Sequence, residues 1–397
     1  MLRLLRAAGA AALAAVLAGA PGGSRAQVPP SSSGLPPPPG ASSPLASPGE
    51  LLEPRLLLYS DDPEYVSQDG LLFRSAAALD AGTPARAYLY HVLQDPGQRL
   101  ALIVESTGAG TSQVRWLGGA AAGDAKPMYV GHRATVEYLR ARKARASSTA
   151  AVAPGAPLVV PVVPSAVLPA NAVSTIGAAD GFLPGRPLVQ AIYDLRVLSG
   201  GPVRLSVVAV HPGADPLAAA AQPLPSDGYH RRGEFSLAGV APLRLRFTVG
   251  DPCDADHACA PFSAGMASFA ELHGGRPLGG EYGVLRPVEL TMTNPTSAPR
   301  DVFLYEQAGT AGVTTTIAFD GDDAPTEVPC LVDLDGHYLV KRFTLAPGER
   351  RVATGAFLTD GGSHFPLELG LTAIPPALPA DQCAGGPHPS AGPAGSG

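Results

Sequence analysis

The sequence is poor in lysine, in charged residues generally and in aromatic side chains. Lys126, Lys143 and Lys341 are its only lysines, charged residues make up 16% of the 397 positions, and aromatic residues make up 6%. The net charge of −6 argues against a surface built to bind nucleic acid or anionic lipid. The 47 glycines and 43 prolines exclude a long coiled coil or a helical solenoid, because both residues interrupt helices. We therefore expect short elements joined by many turns.

Long apolar runs are missing except at the N-terminus. Arg3 and Arg6 precede an apolar run at 7–20, and small residues follow it, which is the layout of a secretory signal peptide. This run is too short for a permanent membrane span, and no other uninterrupted apolar stretch reaches the roughly 18 residues that a span requires. The sequence predicts a signal peptide at 1–26 and a secreted, periplasmic or cell-envelope protein without a transmembrane segment in the mature chain.

Strand-like alternation fills the centre of the chain, between a Pro/Ser-rich segment at 27–50 and a Pro/Gly-rich tail at 376–397. Hydrophobic residues there recur at every second position, as in the strand-like segment 288–292, which is typical of strands with one face on a core. Short strands at this spacing predict an all-β fold. We predict two immunoglobulin-like antiparallel β-sandwich domains, at 51–212 and 213–375. The Pro/Ser-rich segment is predicted to be a disordered linker.

One helix is predicted, near 131–146 and inserted in the first sandwich, with Val136 and Leu139 on its apolar side. Its basic residues are Arg133, Arg140, Arg142, Lys143 and Arg145. A basic run on a helix is typical of a solvated face, so it predicts no nucleic-acid partner.

Four short motifs stand out, at 60–66 (SDDPEYV), 131–133 (GHR), 280–284 (GEYGV) and 345–349 (LAPGE). Together they resemble an uncharacterised family of secreted β-rich bacterial proteins, best known in cyanobacteria, over about 55–375. The strand and Pro-Gly turn around the last motif also resemble immunoglobulin-like accessory domains of bacterial envelope proteins. The resemblance implies a compartment, a bacterial origin and a fold. It implies no site residues, because the family has no assigned activity.

The four cysteines are even in number, which in an exported chain indicates disulfides. Three pairings are possible. Proximity within a polar loop favours Cys253 with Cys259, and this leaves Cys330 with Cys383, which would fasten the tail to the second sandwich. A zinc site is not predicted, because the spacing lacks the paired C-x₂-C pattern.

Three acidic turns could hold a hard cation such as calcium, which prefers carboxylate and carbonyl oxygens. Their candidate ligands are Asp251, Asp254, Asp256, Asp320, Asp322, Asp333 and Asp335. Aspartate and glycine are also ordinary turn residues, and we favour that interpretation. The sequence therefore predicts no metal and no other cofactor, and it keeps these turns as the calcium candidates.

Sequence motifs for catalysis are missing. Gly118 and Gly123 have the spacing of a phosphate loop, but Asp124 stands where the lysine is required. Neither a G-x-S-x-G elbow nor an H-E-x-x-H zinc motif occurs in the sequence. No catalytic residue is predicted, and the chain is not expected to be an enzyme.

We expect a non-catalytic secreted or cell-envelope protein whose sandwiches are structural or interaction modules. Its partner would be an envelope or extracellular protein or polysaccharide. A carbohydrate- or calcium-binding module is the alternative, and a hydrolase with a site built across loops is less favoured. Aromatic residues could line a sugar-binding sheet face or belong to the core: Tyr88, Tyr90, Trp116, Tyr282 and Tyr305.

Overall fold

The computed structural model describes residues 53–95, 97–123, 127–168, 187–251, 261–309 and 312–383. The fold of these residues is all-β, as predicted, with several largely antiparallel sheets. The predicted signal peptide, the linker at 27–50, and the tail beyond 383 lie outside the described residues. Cys253, Cys259, Asp254 and Asp256 lie outside them as well.

The first sandwich consists of an eight-stranded sheet packed on a four-stranded sheet. The strands of both sheets are β1 (Leu56–Ser60), β2 (Tyr65–Val66), β3 (Gly70–Arg74), β4 (Ala85–Leu93), β5 (Arg99–Ser106), β6 (Ser112–Gly123), β7 (Ser148–Val152), β8 (Leu158–Pro161), β9 (Ala166–Leu168), β10 (Leu188–Ser199), β11 (Val203–Val210) and β12 (Arg232–Ser236). The large sheet has the order β12-β1-β4-β10-β6-β7, with β2 beside β4 and β9 beside β6. The small sheet has the order β3-β11-β5-β8, so β3 and β12 are both edge strands.

The core of the first sandwich is formed by every second residue along the strands, on the faces that the two sheets turn toward each other. In β5, Leu100, Leu102 and Val104 point into the core, and Leu205 and Val207 of the neighbouring strand β11 do the same. Burying one such side chain contributes about 1.5–3 kcal/mol to the free energy of folding. The two-residue period read from the sequence thus sets which face of each strand is covered.

The second sandwich packs a five-stranded sheet on a four-stranded sheet. Its strands, with the hairpin pair β15 and β16, are β13 (Leu243–Thr248), β14 (Phe262–Ala264), β15 (Ser268–Phe269), β16 (Leu278–Gly279), β17 (Leu285–Thr293), β18 (Arg300–Ala308), β19 (Val313–Phe319), β20 (Thr326–Leu331), β21 (Tyr338–Leu345), β22 (Arg350–Thr359) and β23 (Leu367–Thr372). The sheet orders are β13-β17-β22-β19-β20 and β14-β23-β18-β21. Val288, Leu290 and Met292 of β17 lie in the core between them.

Two features of the topology differ from a purely antiparallel pair of sandwiches. Four pairs of strands are parallel, namely β1 with β4, β2 with β4, β6 with β9, and β13 with β17. Strand β12 pairs with β1 in the first sandwich, although it follows residue 212 in the sequence. The first sandwich therefore recruits a strand from beyond that position.

Helix α1 (Pro127–Ala144) begins four residues before the predicted start at 131 and ends two before 146. Pro127 fits the first turn, where a backbone N–H has no helical partner. A second, five-residue helix, α2 (Pro216–Ala220), was not predicted because it is too short to show an apolar period; the Asp215 carboxylate accepts a hydrogen bond from Leu217 N at its start. In the described ranges, neither helix is both long and apolar enough for a membrane crossing.

Cys330 and Cys383 are joined in the structure, with Cα atoms 5.7 Å apart, within the range that a disulfide requires. The segment before Cys383 also lies against the second sandwich, where Leu339 N donates to Ala377 O at 2.8 Å. The start of the predicted tail is therefore part of the fold.

Candidate functional site

A cleft of about 310 Å³ opens at one edge of the first sandwich, where the edge strands β3 and β12 diverge. Its lining residues are Leu71, Leu72, Phe73, Arg74, Ala76, Pro223, Arg232, Gly233, Glu234, Glu271 and His273. This volume is at the lower end of the range for small-ligand sites, which combine apolar walls with a few convergent polar groups.

One wall of the cleft comes from the second sandwich. Residues 265–279, here called the arm, leave the second sandwich after β14 and fold back as a hairpin in which Phe269 pairs with Leu278. The arm lies along the free edge of β12, where Leu272 N donates to Glu234 O at 2.9 Å. Both sandwiches therefore contribute to the cleft.

Glu234 is buried at the base of the cleft, with 1% of its surface exposed. Its Oε1 accepts hydrogen bonds from Ala76 N at 2.6 Å and Ala77 N at 3.4 Å, and its Oε2 lies 2.9 Å from His273 Nε2. Strand β12 presents this side chain to backbone groups just beyond the end of β3, so the carboxylate links the edges of the two sheets. Such buried charge is tolerated because donors surround it.

Glu271 and His273 extend from the arm into the cleft. Glu271 accepts from Glu234 N at 3.1 Å, His273 N at 2.7 Å and Gly275 N at 2.8 Å. Partial burial opposes ionisation, but these backbone donors outweigh it and hold the pKa of Glu271 below its usual range. The hydrogen bond to Glu234 raises the pKa of His273, which favours its protonated form. The cleft thus holds two carboxyl side chains and one imidazole in fixed positions.

Arg74 and Arg232 supply the remaining charge. Arg232 Nη1 lies 3.2–3.3 Å from the carbonyl oxygens of Asp62, Leu72 and Leu224, and its Nε lies 3.4 Å from Asp62 Oδ2. Arg74 donates to Ser206 Oγ and Ala220 O, both at 3.0 Å. Among the described residues Arg74 forms no ion pair. The lining therefore carries three cationic side chains and two anionic ones when His273 is protonated.

Large apolar residues are exposed on the arm and on the loop before β12 that the arm contacts. Tyr229, which precedes Arg232 by three residues, is 75% exposed, and Leu272 of the arm is 50% exposed. Arg276 of the arm donates to the carbonyl of Gly228 at 2.5 Å, which holds the loop bearing Tyr229 against the arm. The Tyr229 ring is not part of the lining; it meets the His230 ring edge-on, with the centroids 4.9 Å apart, and most of its surface is open to solvent.

The calcium candidates do not converge in the described part of the chain. Asp251 accepts from Thr248 N, Asp320 from Thr354 Oγ1, and Asp333 from Tyr338 OH. Asp322 pairs with Lys341, and Asp335 is exposed on the turn of Asp333. In the ranges described, one group of potential metal ligands lies close together, namely Cys330, Asp381 and Cys383. Its two cysteines are bonded to each other.

The aromatic candidates do not form an exposed strip. Tyr88, Tyr90 and Tyr305 are buried with 1–9% of their surface exposed, Trp116 is half-buried against the core of the first sandwich, and Tyr282 donates to Ser363 O at 2.6 Å. These side chains therefore belong to cores and contacts. The exposed tyrosine is Tyr229, which the sequence analysis did not select.

The motifs at 131–133 and 280–284 lie at the junction of the two sandwiches, where Gly283 O accepts a hydrogen bond from Arg86 at 3.1 Å, and Tyr65 of the motif at 60–66 packs on the apolar cluster there. The junction is centred on an apolar cluster that includes Tyr59, Tyr88, Tyr138, Val284 and Leu358. His132 follows Gly131 in the second motif, and its Nδ1 lies 2.6 Å from Oδ2 of the buried Asp360, which raises the pKa of His132 to about 9 although burial opposes this. Arg86, fully buried, donates to Asp194 Oδ1 at 2.8 Å, and Glu281 of the third motif pairs with Arg286 at 2.7 Å. These motifs hold the sandwiches together.

The basic helix face that the sequence analysis noted also belongs to this junction. Arg133 and Arg140 pair with Glu137, Arg140 reaches Glu327 of β20 at 3.0 Å, and Arg142 pairs with Glu53. The positive charges are thus largely matched by acids from both sandwiches, and the face is not an open basic patch.

Comparison with known proteins adds little to this geometry. No protein-family model matches the sequence, and no curated protein matches it. One matching solved structure is the crystal structure of Lac15 from a marine microbial metagenome, at 11% identity and a TM-score of 0.16. The alignment covers 81% of this chain and 63% of that chain, so this chain spans less than two thirds of Lac15. A likeness this low carries no argument, and the function has to be inferred from the site.

Proposed function

We propose that this chain is a non-catalytic protein of the cell envelope or the extracellular space that binds an external partner through the cleft. The observation that carries the proposal is the contact between Glu234, Glu271 and His273, which come from the two sandwiches and fix one another. Groups that are held in place before binding lose little conformational freedom when a ligand arrives. The arrangement therefore suits recognition.

The chemistry of the lining favours binding over turnover. The residues that line the cleft include no serine, threonine, cysteine or lysine that could attack a substrate. A general acid or base works best with a pKa near the ambient pH, whereas the pKa of Glu271 lies below its usual range. Glu234 and Glu271 each already accept backbone hydrogen bonds, and those to Glu271 stabilise its charged form.

The rest of the molecule supplies support for such a role. We propose that the two sandwiches are immunoglobulin-like modules, exported by the signal peptide at 1–26 and tethered by the linker at 27–50. At their junction Arg86 of the first sandwich donates to Gly283 O of the second at 3.1 Å, and His132 of helix α1 pairs with the buried Asp360, so specific polar contacts favour one relative arrangement. A fixed arrangement keeps the arm, and with it one wall of the cleft, in register with β12.

Blocking the cleft without removing a polar group tests the proposal. Ala76 is exposed and lines the cleft, whereas Ala78 is exposed and lies outside the lining. The exported protein, A76W and A78W are titrated by calorimetry with neutral oligosaccharides, acidic oligosaccharides and short peptides, and assayed for hydrolysis of each.

We expect saturable binding of a member of this panel, lost in A76W and retained in A78W, with no hydrolysis. Hydrolysis that A76W abolishes would replace the binding role with an enzymatic one. If A76W and A78W bind the ligand equally well, the cleft is not the binding site.

A further inference from the structure

We infer that the ligand of the cleft is a saccharide that carries a carboxylate group, such as a uronic acid, and that Arg74 binds that carboxylate. The inference rests on the proposed binding role of the cleft and adds the chemical class of its ligand. Three features of the described residues carry it: the charges of the lining, the N–H donors of Arg74 that face no described carboxylate, and the exposed ring of Tyr229.

The charges in the lining are nearly balanced, and Arg74 is the cation among them that has no acidic partner in the described part of the chain. The whole chain has a net charge of −6, whereas the lining holds Arg74, Arg232 and His273 against Glu234 and Glu271. The two carboxylates are surrounded by backbone N–H groups that partly neutralise them, as described above. An anionic ligand therefore meets one cation that is not already paired with a described carboxylate, which aids specificity.

Arg74 is the group best placed to receive the anion. Its Nε and Nη2 donate to Ser206 Oγ and Ala220 O, so two hydrogen bonds orient the guanidinium and no described carboxylate occupies it. A guanidinium has five N–H donors and matches the two oxygens of a carboxylate. Arg232 is less available, because one of its nitrogens is shared among three carbonyl groups and another faces Asp62.

The neutral features of the site favour a saccharide over other organic acids. Glu234 and Glu271 retain acceptor capacity toward hydroxyl groups, since each carboxylate oxygen has two lone pairs. Tyr229, 75% exposed beside the arm, offers a face on which a sugar ring can stack. The cleft volume of about 310 Å³ suits one or two sugar rings.

The probe is a trimer of galacturonic acid, and the matched neutral probe is its methyl ester. Each is titrated by calorimetry into the exported protein and into R74Q and R99Q. Arg99 is an exposed arginine of the same sandwich that lies outside the lining, so R99Q matches the charge change of R74Q. Circular dichroism and thermal unfolding show whether R74Q retains the fold.

We expect the acid to bind about ten-fold or more tightly than the ester, as a hydrogen-bonded charge pair allows. R74Q should remove that preference while leaving the weak binding of the ester unchanged, and R99Q should bind as the wild type does. If the acid and the ester bind equally and neither binds A76W, the inference that the ligand is acidic is wrong, and the cleft remains a sugar-binding site.

Two further outcomes would also overturn the inference. If trialanine, which carries a free carboxylate but no sugar, binds as tightly as the acidic trimer, the cleft recognises carboxylates of another class. If neither saccharide binds, the inference falls, and the proposed function then depends on whether another member of the wider panel shows binding that A76W abolishes.

Discussion

Glu306 shows how far a single residue can depart from its usual chemistry in this fold. The side chain lies on β18 and is fully buried, and contact with the Thr315 hydroxyl offsets this burial only in part. Burial raises the pKa of Glu306 to about 8, because the charged form would lose its hydration. At neutral pH the group is therefore largely protonated, and it behaves as a neutral polar residue inside the second sandwich.

This shift makes stability depend on pH. Between pH 4.5 and about 8, the unfolded chain releases the proton of Glu306 while the folded chain keeps it, so the free energy of unfolding falls as the pH rises. The loss can reach about 5 kcal/mol, because the pKa of Glu306 rises from 4.5 to about 8 and each pKa unit corresponds to about 1.4 kcal/mol. We expect E306Q, which stays neutral, to lose much less stability than the wild type between pH 5 and pH 8 in urea titrations. D323N, at an exposed turn, is the control, and equal pH dependence in E306Q and the wild type would contradict the assignment.

At the scale of the element, helix α1 is placed by one close approach of backbone to backbone. A Cβ atom on Gly131 would lie 1.8 Å from Gly361 O, so only glycine lets the helix reach the loop that carries Asp360. The ion pair between His132 and Asp360 depends on the same approach. The short motif at 131–133 therefore has a packing role at the junction.

The G131A variant tests this role. Alanine should strengthen an isolated helix by about 1 kcal/mol relative to glycine. At this position the steric clash should instead reduce the free energy of unfolding by about 1–3 kcal/mol, as overpacking does elsewhere. G110A is the matched control, because a Cβ on Gly110 meets no atom within 4 Å. A G131A protein as stable as G110A in denaturant titration would show that the helix does not need the close approach.

The sequence predicts those strands in which apolar and polar residues clearly alternate. The residues of the cleft come largely from segments that lack this alternation. Segments such as β5 and β17 repeat apolar residues at every second position, so their burial follows from sequence alone. Strand β12 reads RGEFS, and its two charged residues hide its strand character. Arg232 donates to Leu72 O of β3, and Glu234 accepts from backbone amides just beyond β3. Glu234 and Glu271 also come from distant parts of the chain. Only pairing of β12 with the arm brings them together, and periodicity carries no information about such pairing.

At the scale of the whole molecule, the bond between Cys330 and Cys383 closes 53 residues of chain around the second sandwich. It also holds the segment after β23 near helix α1, where Tyr129 OH donates to Asp381 at 2.8 Å. A cross-link over a loop of this length reduces the entropy of the unfolded chain by an amount worth about 4 kcal/mol in the simplest model. The link thus reinforces the sandwich that supports the arm.

We expect the free energy of unfolding of C330S/C383S to be about 2–4 kcal/mol lower than that of the wild type, since measured effects often fall short of the entropic value. Limited proteolysis should cleave the double variant within 373–383 before any cut in the strands. Reduction of the wild type should reproduce both effects. Unchanged stability together with unchanged resistance to proteolysis would contradict a fastening role for this bond.

The proposed function requires a ligand site at the edge of the first sandwich, in the cleft that the arm of the second sandwich closes. Hydrogen–deuterium exchange with and without the galacturonate trimer tests it most directly, because it locates the ligand on the intact protein. We predict slower exchange at 71–77, 232–234 and 271–275, where backbone amides border the cleft or bond to its carboxylates. Protection confined to the acidic turns at 320–323 and 333–336, or to the junction around 131 and 361, would contradict it.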